Sequence, residues 1–253
     1  MQLRPATFLR PGPDPAGTTP LTRDDRTFPE RLTEGYRAFL GGRFTSERSR
    51  YESLAKTGQQ PEIMVVGCID SRVSPEVIFD AAPGEMLVVR NVANLVPPWQ
   101  PDRDSQHSTS AAIEFGVQAL QIKHVVVLGH AFCGGIRAYA DEQQPLSRGD
   151  FIGRWMSQIA PAAASLSPRD PNDDNVYLRR LEFAAVELSL RNLMTFPFVR
   201  RRVEDGKLAL HGAYFGVVTG RLLLRDAATE RFEPAAESSR SGGTKPPGKS
   251  AVS

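Results

Sequence analysis

The chain is short of several things. It has two cysteines among 253 residues, two tryptophans, and a formal net charge of only +2. Two cysteines cannot staple a fold of this size. With nothing pointing to secretion, a cytosolic pair reads as metal-binding or redox-active rather than as a disulfide. A near-zero net charge gives no reason to expect nucleic acid or a membrane surface as a partner. No apolar run approaches the eighteen residues that a membrane span needs. The first twenty residues, MQLRPATFLRPGPDPAGTTP, hold no apolar signal-peptide core. The expected address is the cytoplasm. No strand is followed by GxGxxG, which argues against a dinucleotide site, and no internal repeat is visible.

What is present is an ordinary globular composition, 40% hydrophobic and 24% charged, in a chain long enough to bury a substantial core. Residues 1–28 carry five prolines and little apolar periodicity, and read as a disordered or draped arm. Residues 235–253 are a Ser/Gly/Pro/Lys tail of similar character. Within the tail, GTKPPGKS (243–250) spells out the phosphate-loop pattern. A phosphate loop works between a buried strand and a helix. Here no strand precedes it and two prolines lie inside it, so the match is chance.

Residues 29–234 read as one continuous domain. Leu32, Tyr36, Phe39, Leu40, Tyr51 and Leu54 give residues 30–56 a helical periodicity, broken at Gly41-Gly42. EIMVVGC (62–68) and HVVVLGH (124–130) are Val-rich apolar runs, which suit strands buried on both faces. EMLVVRNV (85–92) and KLALHGAYF (207–215) supply further strands, and RLLLRD (221–226) an edge hairpin. Helices are expected from Ser74 as a cap with Pro75 behind it, over 108–120 with Ser108 or Ser110 as caps, and over 176–195. Strand alternating with helix predicts an α/β fold: a mostly parallel β-sheet flanked by helices, with an N-terminal helical arm.

Ligands in such sheets bind at the carboxyl ends of strands. One strand ends in Cys68, followed by Asp70 and Arg72; another ends in His130, Ala131, Phe132, Cys133, Gly134 and Gly135. If the strands are neighbours, Cys68, His130 and Cys133 converge. Two thiolates and an imidazole select zinc, and three protein ligands leave one tetrahedral position for water, as in catalytic sites. That water becomes acidic and supplies hydroxide near neutral pH. Asp70, accepting only, can orient the hydroxide. Arg72 can hold Asp70 in a two-pronged pair and keep it from becoming a fourth ligand. Gly134 allows close backbone approach to a substrate oxygen. Each residue alone has a duller meaning, such as a buried thiol, a tight turn or a surface ion pair; their joint placement at two strand ends favours the site.

At these residues the sequence resembles the β-class carbonic anhydrases, whose pattern Cys-x-Asp-Ser-Arg, then His-x-x-Cys-Gly-Gly about sixty residues later, stands here as CIDSR (68–72) and HAFCGG (130–135). PGEMLVVRNVANLVPP (83–98), TSAAIEFGV (109–117) and NLMTFPFVRRRVEDGKLALHGAYF (192–215) extend the likeness to residues 30–234. The resemblance implies one zinc per chain on Cys68, His130 and Cys133, an Asp70–Arg72 dyad, and reversible hydration of carbon dioxide to bicarbonate. It implies that Gln59 donates an amide N–H to substrate, and that Leu87, Val92 and Phe115 line the carbon dioxide pocket. The chain departs from the pattern in carrying Phe115 where tyrosine is common, Leu87 where an aromatic is frequent, and Val65 where a bicarbonate-inhibited subgroup has tryptophan. A homodimer or a dimer of dimers is implied, with N-terminal helices draped over the partner; residues 30–56 suit that role, and their apolar face equally suits packing within one chain. Two other readings are a zinc hydrolase of a related small molecule such as carbon disulfide, and a non-catalytic zinc or redox sensor with Asp70 permanently on the metal.

Overall fold

The computed structural model describes residues 27–101 and 107–235. The phosphate-loop match and most of both expected arms lie outside these residues. The chain opens with two helices, α1 (Glu30–Gly41) and α2 (Arg43–Thr57), meeting at Gly42, where the periodicity breaks. Then follow β1 (Ile63–Cys68), a one-turn helix α3 (Pro75–Ile78), β2 (Met86–Asn91) and α4 (Ser108–Glu114). Next come β3 (His124–His130), α5 (Gly134–Ala140), α6 (Phe151–Met156) and α7 (Ala160–Ala164). The long α8 (Asp174–Leu193) and α9 (Pro197–Glu204) precede β4 (Ala209–Phe215), β5 (Leu222–Arg225) and β6 (Phe232–Pro234).

The strands form one sheet in the order β2-β1-β3-β4-β5-β6. The first four are mutually parallel and the last two antiparallel. From β1 the chain crosses one way to β2 and then back to β3 on the other side. The crevice between β1 and β3 is therefore the switch point where such sheets take their ligands. Cys68 ends β1 and His130 ends β3, in adjacent strands.

Alternation along the strands divides the core. Met64, Val66, Val125 and Val127 face α8 and α9, packing with Val186, Leu190, Leu193 and Val199. Val65, Leu128 and Ala213 face the other way. Beyond the strand ends a third cluster joins Cys68 and Cys133 to Leu178, Leu181 and Ala185 of α8.

Local chemistry departs from expectation at several places. Ser74 precedes α3, but its hydroxyl donates to the Glu76 carboxylate at 2.9 Å instead of capping the backbone. Neither Ser108 nor Ser110 caps α4, which takes His107 at that position; the helix then widens into a π-turn over Phe115–Ala119. The edge hairpin is extended by β6, three residues long and without alternation.

Candidate metal centre

The end of β1 runs straight into a tight turn. Ile69 N–H still bonds the Asn91 carbonyl, and Val73 N–H bonds that of Asp70. Arg90, opposite Gly67 on β2, spans the turn, donating from Nε to the Cys68 carbonyl at 2.8 Å and from Nη2 to the Asp70 carbonyl at 2.7 Å. After β2 the chain makes a short turn over Val92–Asn94 with Ala93 and Asn94 at φ 63 and 48. Non-glycine residues held there cost roughly 1–3 kcal/mol each. The turn is fixed by its neighbours: Trp155 Nε1 donates to the Val92 carbonyl, Ser189 Oγ to that of Asn94, and the Asn91 side chain brackets Leu95. Held so, Ala93 N–H points at Cys68 Sγ, 3.4 Å away. Gly135 permits this closeness, since a Cβ there would sit 2.7 Å from Val92 Cγ1.

The ligating atoms of Cys68, His130 and Cys133 all lie within 4.8 Å of one another, and all three residues are buried. Zinc bonds of about 2.1 Å to nitrogen and 2.3 Å to sulfur give tetrahedral ligand separations of roughly 3.5–3.8 Å. The donors therefore need to move by about an ångström or less. Both cysteines are free thiols. His130 Nδ1 lies 3.0 Å from the Ala131 carbonyl, which makes Nδ1 the protonated nitrogen. Nε2 is left with a bare lone pair and is buried with no hydrogen-bond partner. An orphaned acceptor beside two buried sulfurs fits a soft or borderline cation. Hydrogen bonding with Cys133 pushes the Cys68 thiol down against the cost of burial, while hydrogen bonding with Cys68 and burial push Cys133 up. A cation binding there would take both sulfurs as thiolates and release their protons.

Asp70 stands beside this triad and is not one of its close-packed donors. Its Oδ1 accepts from Arg72 Nε at 2.9 Å and from Arg72 N–H at 3.0 Å, and its Oδ2 from Arg72 Nη2 at 2.6 Å. Arg72 hydrogen bonding holds the Asp70 carboxyl down to about 2 against the cost of burial. The same Nη2 reaches the Phe132 carbonyl at 3.0 Å, tying the dyad to the loop that carries Cys133.

The other expected site residues divide. Val92 packs against the cluster that contains both cysteines, and Gly134 follows Cys133 at the start of α5. Leu87 faces the core four residues before Asn91, the partner of Cys68. At about 3.3 Å per residue it lies roughly 13 Å back along the sheet. Phe115 is 52% exposed, and its neighbour Gly116 lies against Leu87. Gln59 is exposed and precedes β1, whereas Cys68 ends it. Within one chain these three side chains lie away from the donors.

Sequence reasoning passed over Glu182. It is 5% exposed on α8, its Oε1 accepting from Cys133 N–H at 3.0 Å and its Oε2 from Tyr214 O–H at 2.6 Å. Burial pushes its carboxyl up, opposed by those two donors. The signal was available: Leu178, Leu181, Ala185 and Leu188 define the buried stripe of the helix, and position 182 falls inside it.

A Cys–His–Cys donor cluster at the switch point of a parallel sheet, with an Asp–Arg pair beside it, is the arrangement of an α/β metalloenzyme site. Residues 63–222 match the family described as carbonic anhydrase. The chain is 37% identical over 196 residues to Beta carbonic anhydrase 3 of Arabidopsis thaliana, covering 76% of this chain and 74% of the relative. Its fold is similar to that of the β-carbonic anhydrase CcaA, with a TM-score of 0.70 at 27% identity, covering 81% of this chain and 91% of that one. It is also similar to a structure from a study of two tetrameric β-carbonic anhydrases of the ascomycete Sordaria macrospora. There the TM-score is 0.65 at 27% identity, covering 77% and 95% of the two chains. The chain belongs to the β-class carbonic anhydrase family, and its Cys68, His130 and Cys133 are the cluster typical of that family's zinc site.

Proposed function

We propose that this enzyme hydrates carbon dioxide reversibly to bicarbonate and a proton, with one zinc on Cys68, His130 and Cys133 and with Asp70 and Arg72 as the assisting dyad. The observation that carries this reading is the pairing of a tight three-donor cluster with a carboxylate that Arg72 holds beside it. Zinc, when bound, supplies Lewis acidity, lowering the pKa of water far enough for hydroxide to be available near neutral pH. Asp70 does the aiming. Ionised across the working pH range, it would accept a hydrogen bond from the O–H of the nucleophile and orient it towards the substrate. Arg72 keeps both oxygens of Asp70 engaged, which would hold the carboxylate back from a metal on Cys68, His130 and Cys133. Val92 offers an apolar wall on which carbon dioxide can rest, and Gly134 opens the backbone next to Cys133.

Gln59, Leu87 and Phe115 fit their implied roles only if a second copy of the chain brings them to the site. This favours a homo-oligomer, dimer or dimer of dimers, as does the likeness to a tetrameric relative. No described helix is long and apolar enough to cross a membrane, and the cytoplasm remains the proposed location.

Stopped-flow hydration at pH 8 or above tests the reading. The zinc-loaded protein should turn over carbon dioxide and Cys68→Ser should not. A rate equal to buffer with stoichiometric zinc would refute it, and faster hydrolysis of carbon disulfide than hydration of carbon dioxide would reassign the substrate. Cobalt-substituted protein at two pH values tests the open position: a band that titrates supports solvent there, and an invariant spectrum supports Asp70 as a permanent fourth ligand.

A further inference from the structure

The peptide group between Phe132 and Cys133 is gripped from both ends. Its carbonyl accepts from Arg72 Nη2 at 3.0 Å and its N–H donates to Glu182 Oε1 at 3.0 Å. Phe132 sits at φ 58, a conformation that an aromatic residue adopts at a cost of roughly 1–3 kcal/mol unless its surroundings impose it. Glu182 is in turn fixed by Tyr214 O–H at 2.6 Å, and Tyr214 lies in β4, the strand next to β3. Phe183 packs edge-on against the Tyr214 ring with centroids 4.5 Å apart. Glu182 and Tyr214 are only 5% and 4% exposed, so water has little access to either bond.

A buried carboxylate between two donors is expensive to keep inside a core otherwise built from Leu178, Leu181 and Ala185. An alanine or leucine would pack there without that cost. Helix packing therefore does not explain Glu182; the direction of the Cys133 N–H does. Rotation of that peptide would swing the Cys133 side chain away from Cys68 and His130 and drag the Phe132 carbonyl off Arg72.

We infer that Glu182, held by Tyr214, is a positioning residue for the metal: it fixes the Phe132–Cys133 peptide so that the Cys133 sulfur and the Arg72 guanidinium keep their geometry together. The inference rests on Cys133 as a zinc ligand. Glu182 touches neither metal nor substrate. Its effect passes through one N–H, so what matters is an acceptor of the right reach, and an amide oxygen can replace the carboxylate.

The test uses the full chain with Glu182→Met, which keeps the bulk and removes the strong acceptor, Glu182→Gln, which keeps an acceptor, and Tyr214→Phe. Zinc retention against a chelator and the thiolate-to-cobalt bands of the cobalt form are the readouts. Glu182→Met should retain zinc roughly 10- to 100-fold less well with shifted bands, in the range found for outer partners of metal ligands. Glu182→Gln should recover retention to within a few-fold of the parent, and Tyr214→Phe should lose about tenfold. Parent-like bands and retention in a folded Glu182→Met, or a Glu182→Gln as impaired as Glu182→Met, would overturn the inference. If Glu182→Met does not fold, unchanged bands in Tyr214→Phe overturn it and shifted bands uphold it. A parent protein that binds no zinc would instead bring down the metal assignment itself, so the two failures are told apart.

Discussion

Replacing Arg72 with alanine separates its structural contribution from its catalytic one. The side chain makes two hydrogen bonds to Asp70 and one to the Phe132 carbonyl. It is 36% exposed, so the ion pair is screened, and pairs of this kind stabilise a fold by about 0.2–1 kcal/mol. In a domain of this size loss of the pair alone lowers the melting temperature by about 4 °C or less, and loss of the bond to Phe132 adds to that. The effect on turnover is larger. Without the guanidinium, Asp70 keeps only the backbone N–H of residue 72 and is free to rotate. A misplacement of about an ångström can reduce the rate by about 10²-fold, or about 2.7 kcal/mol of activation free energy. Protonation of Asp70 does not contribute at pH 8. Released from Arg72, its carboxyl rises from about 2, with burial adding to the rise, but an acid of this kind stays ionised at pH 8. Arg72→Lys keeps the charge but not the fork, so it should fall between the two. Stopped-flow rates, zinc content and melting curves on the same preparations check this. Zinc content falling in step with activity would show that Arg72 is scaffolding, and unchanged activity would remove the dyad from the mechanism.

Other substitutions probe the surroundings. Gly135→Ala places a methyl 2.7 Å from Val92 Cγ1 and 3.2 Å from Met156 Sδ, so it should destabilise by roughly 1–3 kcal/mol and loosen zinc with it, read by urea unfolding and chelator competition. Leu181→Ala, at a fully buried position on α8, should lower stability by about 2–5 kcal/mol in the same unfolding assay. The pair His124 and His211, with Nδ1 and Nε2 3.1 Å apart, gives a pH dependence far from the metal. Burial, with His124 adding to it, pushes His211 below its ordinary 6.5. The unfolded chain therefore takes up the proton first, and this contribution is complete above pH 6.5 and lost as pH falls below it. Melting curves from pH 7.5 to 5 should show a shallower decline in His211→Asn than in the parent, and parallel declines would exclude the pair as the source.

Much of the sheet was legible because its centre is chemically simple. The Val-rich runs ending at Cys68 and His130 leave little choice but buried parallel strands, and their ends carry five chemically distinctive side chains. The gathering of Cys68, His130 and Cys133, and the pairing of Asp70 with Arg72, are expected from residue type and position alone. What could not be read depends on contacts between segments distant in sequence. The left-handed Ala93 is held by Trp155 and Ser189, and Phe132 by Arg72 and Glu182, so no local pattern announces them. The π-turn after α4 replaces a helix that periodicity alone continues to residue 120. Strand β6 is too short to alternate. Gln59, Leu87 and Phe115 came from the family likeness and not from local chemistry, which explains why one chain leaves them scattered. Glu182 is the instructive omission, since a charge inside an apolar stripe asks for partners.

The order of strands also sets a timetable for biogenesis. Strand β3 lies at the middle of the finished sheet, yet its outer neighbour β4 is completed only at Phe215. Ribosomes add about 5–20 residues per second, so after His130 is made the valine-rich margin of β3 waits roughly 4–17 seconds for cover. During that interval all three zinc donors already exist on the nascent chain, but α8 and β4, against which their loop finally rests, do not. A newborn chain is thus exposed to sticking and to premature metal capture at the same moment, and variants that slow the docking of α8 should show it as aggregation in the cell before any change appears in the purified enzyme.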